Sequence, residues 1–336
     1  MKSLVITPST PLKKTPKSPI IPAPAGMKRF ACHAWQGKEL AYVRALKGYD
    51  YVPVPATHLN VRFGLFDLDI NQLRVRIDEL HRLGIPIFLY PHAARPMVQW
   101  DGMYDPFPHT RCSFVIGPGH AEVMRRFGYQ IPTEVTGWTM CKLIPFEPVK
   151  EVRTILFGPI HPNSNGYLSD LDGGFNQDTL RRLYEYSKAS GARLIVRHIR
   201  ALEKNLIPRL PGVEYIQASP DGSIVEIDNA DLVVGHQTFG YLAVARGKPV
   251  LMMGEYAPPR SGGSDADLRF VKSWEKYADY LMYPLDVLSG PATVENTADL
   301  ITQATRRNTK VTAWRDKFIG EQFYSDDFVA KLESYL

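Results

Sequence analysis

The chain has 336 residues, 44% of them hydrophobic, with three cysteines and a formal net charge of +5. That length and apolar content let it bury two cores and favour two domains. No apolar run reaches the roughly eighteen residues a bilayer span needs, Cys32, Cys112 and Cys141 are too widely spaced for a zinc knuckle or a disulfide framework, and the basic balance favours anionic partners in general, whether nucleotide phosphates, an acidic membrane surface or DNA.

The opening MKSLVIT is too short an apolar core for a secretory signal, and the cysteine usage suits a reducing compartment, so a cytoplasmic location is expected. Residues 1–26 carry Pro8, Pro11, Pro16, Pro19, Pro22 and Pro24 among Lys, Ser and Thr, the composition of an extended, disordered arm. A first domain is expected over 27–147. It opens with a strand at 29–34, a helix at 39–46 and a strand at 51–54; the turn at 33–37 lacks the GxGxxG fingerprint of a dinucleotide site. The next element is an amphipathic helix at 73–83 with Ile77, Leu80 and Leu83 on one face, stopped by Gly84. A strand at 85–90 then delivers His92 to the carboxyl edge of a sheet, where a neutral imidazole can act as general base or simply cap the loop. Asp101 offers a carboxylate for the same task. A strand at 114–116, a Gly117-Pro118-Gly119-His120 turn, a helix at 121–127 and a strand and turn at 134–137 follow, with a proline-bracketed linker at 145–150.

A second domain is expected over 148–308. Its first strand, 154–157, ends on Gly158, and beyond it either His161 and Asn163 contact a donor or the polar loop 162–176 acts as a lid; that loop lacks the DxDxDG order of a calcium site, so no metal site is expected. A helix at 178–190 leads to a strand at 194–197 that ends on Arg197-His198, and a short strand follows at 214–216. The stretch DNADLVVGHQTFGYLAVARGKPVLMMGE, residues 228–255, reads as strand, turn, helix, strand. An apolar run breaks at Gly235-His236-Gln237-Thr238, the helical spacing of 239–246 stops at Gly247 as at a C′ glycine, and a second buried run ends on Gly254-Glu255. Such a unit is a right-handed parallel crossover, which places 235–238 and Glu255 on the ligand-binding edge. Arg260 follows in a Pro-, Gly- and Ser-rich segment and can pair bidentately with a phosphate. Helices are expected at 270–277 and 296–306. From 312 to 336 Trp314, Phe318, Phe323, Phe328 and Leu332 recur at helical spacing, which predicts one terminal helix within a last segment, 309–336.

The 228–255 stretch resembles the donor-binding half of GT-B glycosyltransferases. The turns at His92 and at Arg197-His198 resemble those of CDP-glycerol glycerophosphotransferase-like enzymes; Ala93 and Ile199 stand where that group has glycine and proline. The resemblance implies an α/β protein of two facing Rossmann-like domains, with a C-terminal helix crossing back onto the first. It implies metal-independent transfer of a sugar from a nucleotide diphosphate to a hydroxyl, with no cofactor beyond that donor substrate. His92 or Asp101 would be the base. Gly158, His198, Gly235, His236, Gln237, Thr238, Gly240, Glu255 and Arg260 would hold the donor, Glu255 at the ribose. A surface glycan or lipid-linked acceptor is the first expectation. Duplex DNA, with a flipped hydroxymethylated base, is a second, and a non-catalytic or epimerase-like nucleotide-sugar protein is a third.

Overall fold

The structure, a computed structural model, describes residues 28–32, 40–53, 61–67, 80–82, 84–91, 110–126, 130–159, 169–198, 207–218, 222–235, 237–252, 294–306 and 309–336. Six parallel strands form a first sheet: β1 (Lys28–Cys32), β2 (Tyr49–Pro53), β3 (Phe63–Asp67), β4 (Ile87–Tyr90), β5 (Thr110–Val115) and β6 (Thr133–Val135), in the order β2-β1-β3-β4-β5-β6. Five more form a second parallel sheet: β7 (Thr154–Phe157), β8 (Arg193–His198), β9 (Glu214–Gln217), β10 (Leu232–Gly235) and β11 (Val250–Met252), in the order β11-β10-β7-β8-β9. The interior strands β4 and β10 are buried at every position, as expected of a parallel sheet covered on both faces.

The helices are α1 (Leu40–Ala45), α2 (Pro118–Arg126), α3 (Ser169–Ser190), α4 (Gly222–Asp228), α5 (Gln237–Ala245), α6 (Val294–Thr305), α7 (Thr309–Phe318) and α8 (Ser325–Ser334). Four features depart from the sequence reading. Strand β3 was not expected. Its FGLFD has a glycine where the alternation should continue, and a Cβ at Gly64 would meet the Phe66 ring, so the glycine marks a close approach rather than a turn. Helix α4 was not expected either, being only two turns long. Residues 169–176, read as part of a polar lid, are the first turns of α3. The terminal helix is two helices, α7 and α8, separated at Gly320, whose φ of +62° is left-handed.

These last helices tie the two halves together. In α7, Trp314 stacks on Tyr241 of α5 at 5.3 Å, and Trp314 and Phe318 share one apolar cluster with Ile116 and Trp138. In α8, Phe328 and Leu332 enter the core of the first sheet beside Phe88 and Phe114. The two chain crossings between the halves run side by side. Trp138 N–H donates to the Glu321 carbonyl (2.7 Å), Phe323 N–H donates to the Trp138 carbonyl (3.2 Å), and the Gln322 amide bridges the Trp138 carbonyl and the Leu143 N–H. The Gly117-Pro118-Gly119-His120 turn is absorbed into this joint. Pro118 takes the first position of α2, where its missing N–H costs nothing, a Cβ at Gly117 would lie 2.7 Å from the Phe318 backbone, and His120 Nδ1 accepts the Gly117 N–H at 3.0 Å.

Much of the polar pattern of 228–255 serves the same joint. Asp231 accepts from the backbone N–H groups of Arg153 (2.9 Å) and Thr154 (2.8 Å) at the start of β7. Arg246 pairs bidentately with Asp228 (2.8 and 2.7 Å) and donates to the Lys142 carbonyl of the crossing chain (2.8 Å). Gly247 has φ +68°, and a Cβ there would overlap the Pro145 carbonyl. Gly247→Ala is therefore expected to lower stability by about 2–4 kcal/mol, from the left-handed conformation and from the displaced crossing chain. Thermal unfolding at the wild-type temperature would contradict this; Gly191→Ala, with φ +74° and open space around it, isolates the conformational part.

Candidate functional site

The strand order of the second sheet reverses between β7 and β10. β8 and β9 lie on one side of β7, and β10 and β11 on the other. Ligands of open parallel sheets bind beyond the carboxyl ends of the strands at such a switch point. Gly158 follows β7 there, its N–H donating to the Val234 carbonyl at 2.8 Å, and Gly235 ends the neighbouring β10. Helix α5 opens two residues later at Gln237, so Gly158, Gly235 and the first turn of α5 are brought to one place. Thr238 is half-buried and Gly240 buried in that helix.

One side chain that the sequence reading passed over dominates this corner. The Phe239 ring lies against both glycines: a Cβ at Gly158 would be 2.6 Å, and one at Gly235 2.7 Å, from its Cδ1. The Arg197 guanidinium lies over the ring, 4.9 Å from the centroid. Arg197 is buried (6% exposed). It forms an ion pair with Glu226 of α4 and donates to Ser223 Oγ at 2.6 Å. Its charge is thus held between a carboxylate and an aromatic face. The usable signal was two glycines at the ends of neighbouring strands with an aromatic residue in the following helix.

His198 ends β8 and is 3% exposed; its carbonyl accepts the Ala218 N–H (2.8 Å), which joins the ends of β8 and β9. The imidazole is therefore buried at the carboxyl end of β8. On the first sheet, β4 reaches Tyr90 in register with Asp67 of β3, and Pro91 beyond it is half-buried. His92, Asp101, His161, Asn163, His236, Glu255 and Arg260 lie outside the described residues, as do residues 162–168 of the polar loop and the expected helix at 270–277.

Burial pushes the Cys112 thiol up to about 12 and raises that of Cys141, so both are protonated at neutral pH. Among the described residues no group of three or more His, Cys, Asp or Glu could hold a metal ion, and no helix is long and apolar enough to cross a membrane.

No protein-family model matches the chain, and none of the curated proteins matches it. Solved structures do. A UDP-GlcNAc 2-epimerase from Methanocaldococcus jannaschii superposes with a TM-score of 0.58 at 11% identity, over 92% of this chain and 99% of that one. The Staphylococcus aureus MnaA–UDP co-structure gives 0.56 at 13% identity over 92% and 97%, and a glycotransferase of kitacinnamycin gives 0.56 at 11% over 92% and 99%. The chain has the GT-B fold. At these identities the likeness extends to the fold alone. Within GT-B architecture the observed pieces take their places: two parallel sheets, two adjacent crossings, and a terminal helix returned to the first sheet.

Proposed function

We propose that this GT-B protein is a glycosyltransferase that moves a sugar from a nucleotide diphosphate to a hydroxyl acceptor. The observation that carries the reading is the switch point between β7 and β10, where two glycine-ended strands and the first turn of α5 converge. A helix start leaves its first N–H groups without intrahelical partners, and these, with the helix dipole, favour a diphosphate. In this reading His198 and Arg260 stand beside that diphosphate as it departs, taking the part of a divalent ion. Glu255 accepts the ribose hydroxyls beyond β11, and His92 or Asp101 takes the acceptor's proton. The His92 and His198 turns, resembling those of glycerophosphotransferase-like enzymes, support a glycan acceptor. UDP is the first donor nucleotide to try, because a structural neighbour was solved with it.

Titration calorimetry with UDP tests the reading. The wild-type chain should bind UDP, and Glu255→Ala should weaken that binding by roughly 10- to 100-fold, the value of one or two charge-assisted hydrogen bonds, at an unchanged melting temperature. Unchanged affinity in Glu255→Ala would remove that residue from the site; absence of UDP binding by the wild type, with GDP, ADP and CDP also silent, would remove the reading.

A second reading has a specific observation in its favour, the likeness to a UDP-GlcNAc 2-epimerase. Proton NMR of UDP-GlcNAc incubated with the protein separates the two. A C2 epimer of the nucleotide sugar marks an epimerase, whereas UDP that accumulates only when an acceptor is added marks a transferase.

A further inference from the structure

Gly158 and Gly235 come from different strands, yet one ring atom, Phe239 Cδ1, stands within 2.7 Å of the Cβ position of each. The ring therefore fills the space above the sheet at the switch point that any larger residue at either strand end would occupy. It is partly buried and is packed against the apolar cluster between the halves. The Arg197 guanidinium covers it at 4.9 Å, and Arg197 is itself fixed by Glu226 and Ser223 of α4. A side chain held by two strand ends, a buried cation and a second helix has little freedom to move, and it lies where a ligand of this sheet would have to enter.

We propose that Phe239 is a specificity-determining residue: its ring is the floor of the nucleotide-sugar crevice and sets how deeply the diphosphate descends between β7 and β10. The proposal rests on the nucleotide-sugar reading above. With the ring present, the diphosphate is kept off the strand ends and level with the first turn of α5. Without it, a void opens over Gly158 and Gly235, the diphosphate loses its defined depth, and water enters beneath it. The nucleoside lies further out and does not depend on the ring. Gly158 is the natural site for compensation, because a Cβ there would grow into the volume that Phe239→Ala vacates.

The experiment uses the full chain and two probes, UDP and uridine, titrated into wild type, Phe239→Ala, Gly158→Ala and the double variant, with melting temperatures measured alongside. The expected result is that Phe239→Ala weakens UDP roughly tenfold, about the value of one charge-assisted hydrogen bond to the diphosphate, and leaves uridine within about twofold. Gly158→Ala alone should lower the melting temperature by forcing the ring aside. In the double variant both the melting temperature and UDP affinity should recover relative to the sum of the single changes, the non-additivity expected of residues in contact. Equal losses for UDP and uridine would mean that Phe239 merely holds the fold, and an unchanged UDP affinity would mean that the ring is no floor; either overturns the proposal. A wild type that binds neither UDP nor uridine, with GDP, ADP and CDP also silent, would overturn the nucleotide-sugar reading and this proposal with it, and is told apart from the other outcomes because it is seen before any variant is made.

Discussion

Phe328→Ala is expected to lower the stability of the first half of the molecule by about 3–5 kcal/mol, the usual cost of emptying a fully buried aromatic site. Phe328 has no exposed surface. Its ring stands edge-on to Phe114 at 4.9 Å and to Tyr42 at 5.0 Å, and these rings continue through Phe88 and Phe63 to Phe30 across the sheet. The same residue anchors α8, whose polar ties are Lys331 to the Val135 carbonyl (2.6 Å), Tyr335 to Glu134 (2.8 Å) and Tyr49 to Glu333 (3.1 Å). Two of these hydrogen bonds are part-buried and one is exposed, and each contributes about 0.5–1.5 kcal/mol net, so with the ring gone they will not hold the helix. Denaturant unfolding should split into two transitions, the earlier one belonging to the first sheet, while Tyr324→Ala, at a side chain 63% exposed, should stay within about 0.5 kcal/mol of wild type. A single transition at the wild-type denaturant concentration would show that α8 does not complete this core.

His92→Ala is expected to lower kcat by about a hundred- to ten-thousand-fold, the usual contribution of a positioned general base, with donor affinity nearly intact. The reason is positional. β4 is fully buried, ends at Tyr90, and delivers the chain through Pro91 to the carboxyl edge of the first sheet, the half away from the proposed donor site. In the proposed reading His198, at the end of β8 in the other half, stabilises the departing diphosphate, so His198→Ala should weaken donor binding as well. Steady-state kinetics with separate donor titration distinguish the two. Should His92→Ala keep most of its turnover, the base is not His92, and the same assay on Asp101→Asn shows whether the carboxylate holds that role.

Elements marked by short-range physics could be read before any coordinates. β7, read at 154–157, has those bounds, β10 and β11 are short apolar runs of the kind found in a doubly covered parallel sheet, and β8 carries such a run at Leu194-Ile195-Val196. α5 stops where Gly247 supplies a left-handed residue, and Gly84 has the same conformation after the helical residues 80–82. From these came the crossover at 228–255 and the strand ends that carry Gly158, His198 and Gly235, whereas the two-sheet organisation came from the resemblance to GT-B glycosyltransferases. The polar residues of 228–255, by contrast, had no readable address: Asp231 bonds to the start of β7, 77 residues away, and Arg246 to Asp228 across α5 and to Lys142 of the crossing chain, 104 residues away.

Only the tertiary structure decided what the glycines are for. Gly64 looks like a strand breaker until Phe66 is seen folded onto it, and Gly158 and Gly235 look like room for a phosphate until Phe239 is seen lying on both. The periodicity of 312–336 continues through residue 320 because Phe318 and Phe328 both face apolar partners, but those partners belong to different cores, and the chain must turn at Gly320 to reach them. Periodicity and propensity register the environment of a residue among its near neighbours along the chain. The seat of Phe239, the break at Gly320 and the joint at Arg246 depend on which distant segments meet, and that is set by how two sheets and two crossings pack, for which a single sequence carries no local mark.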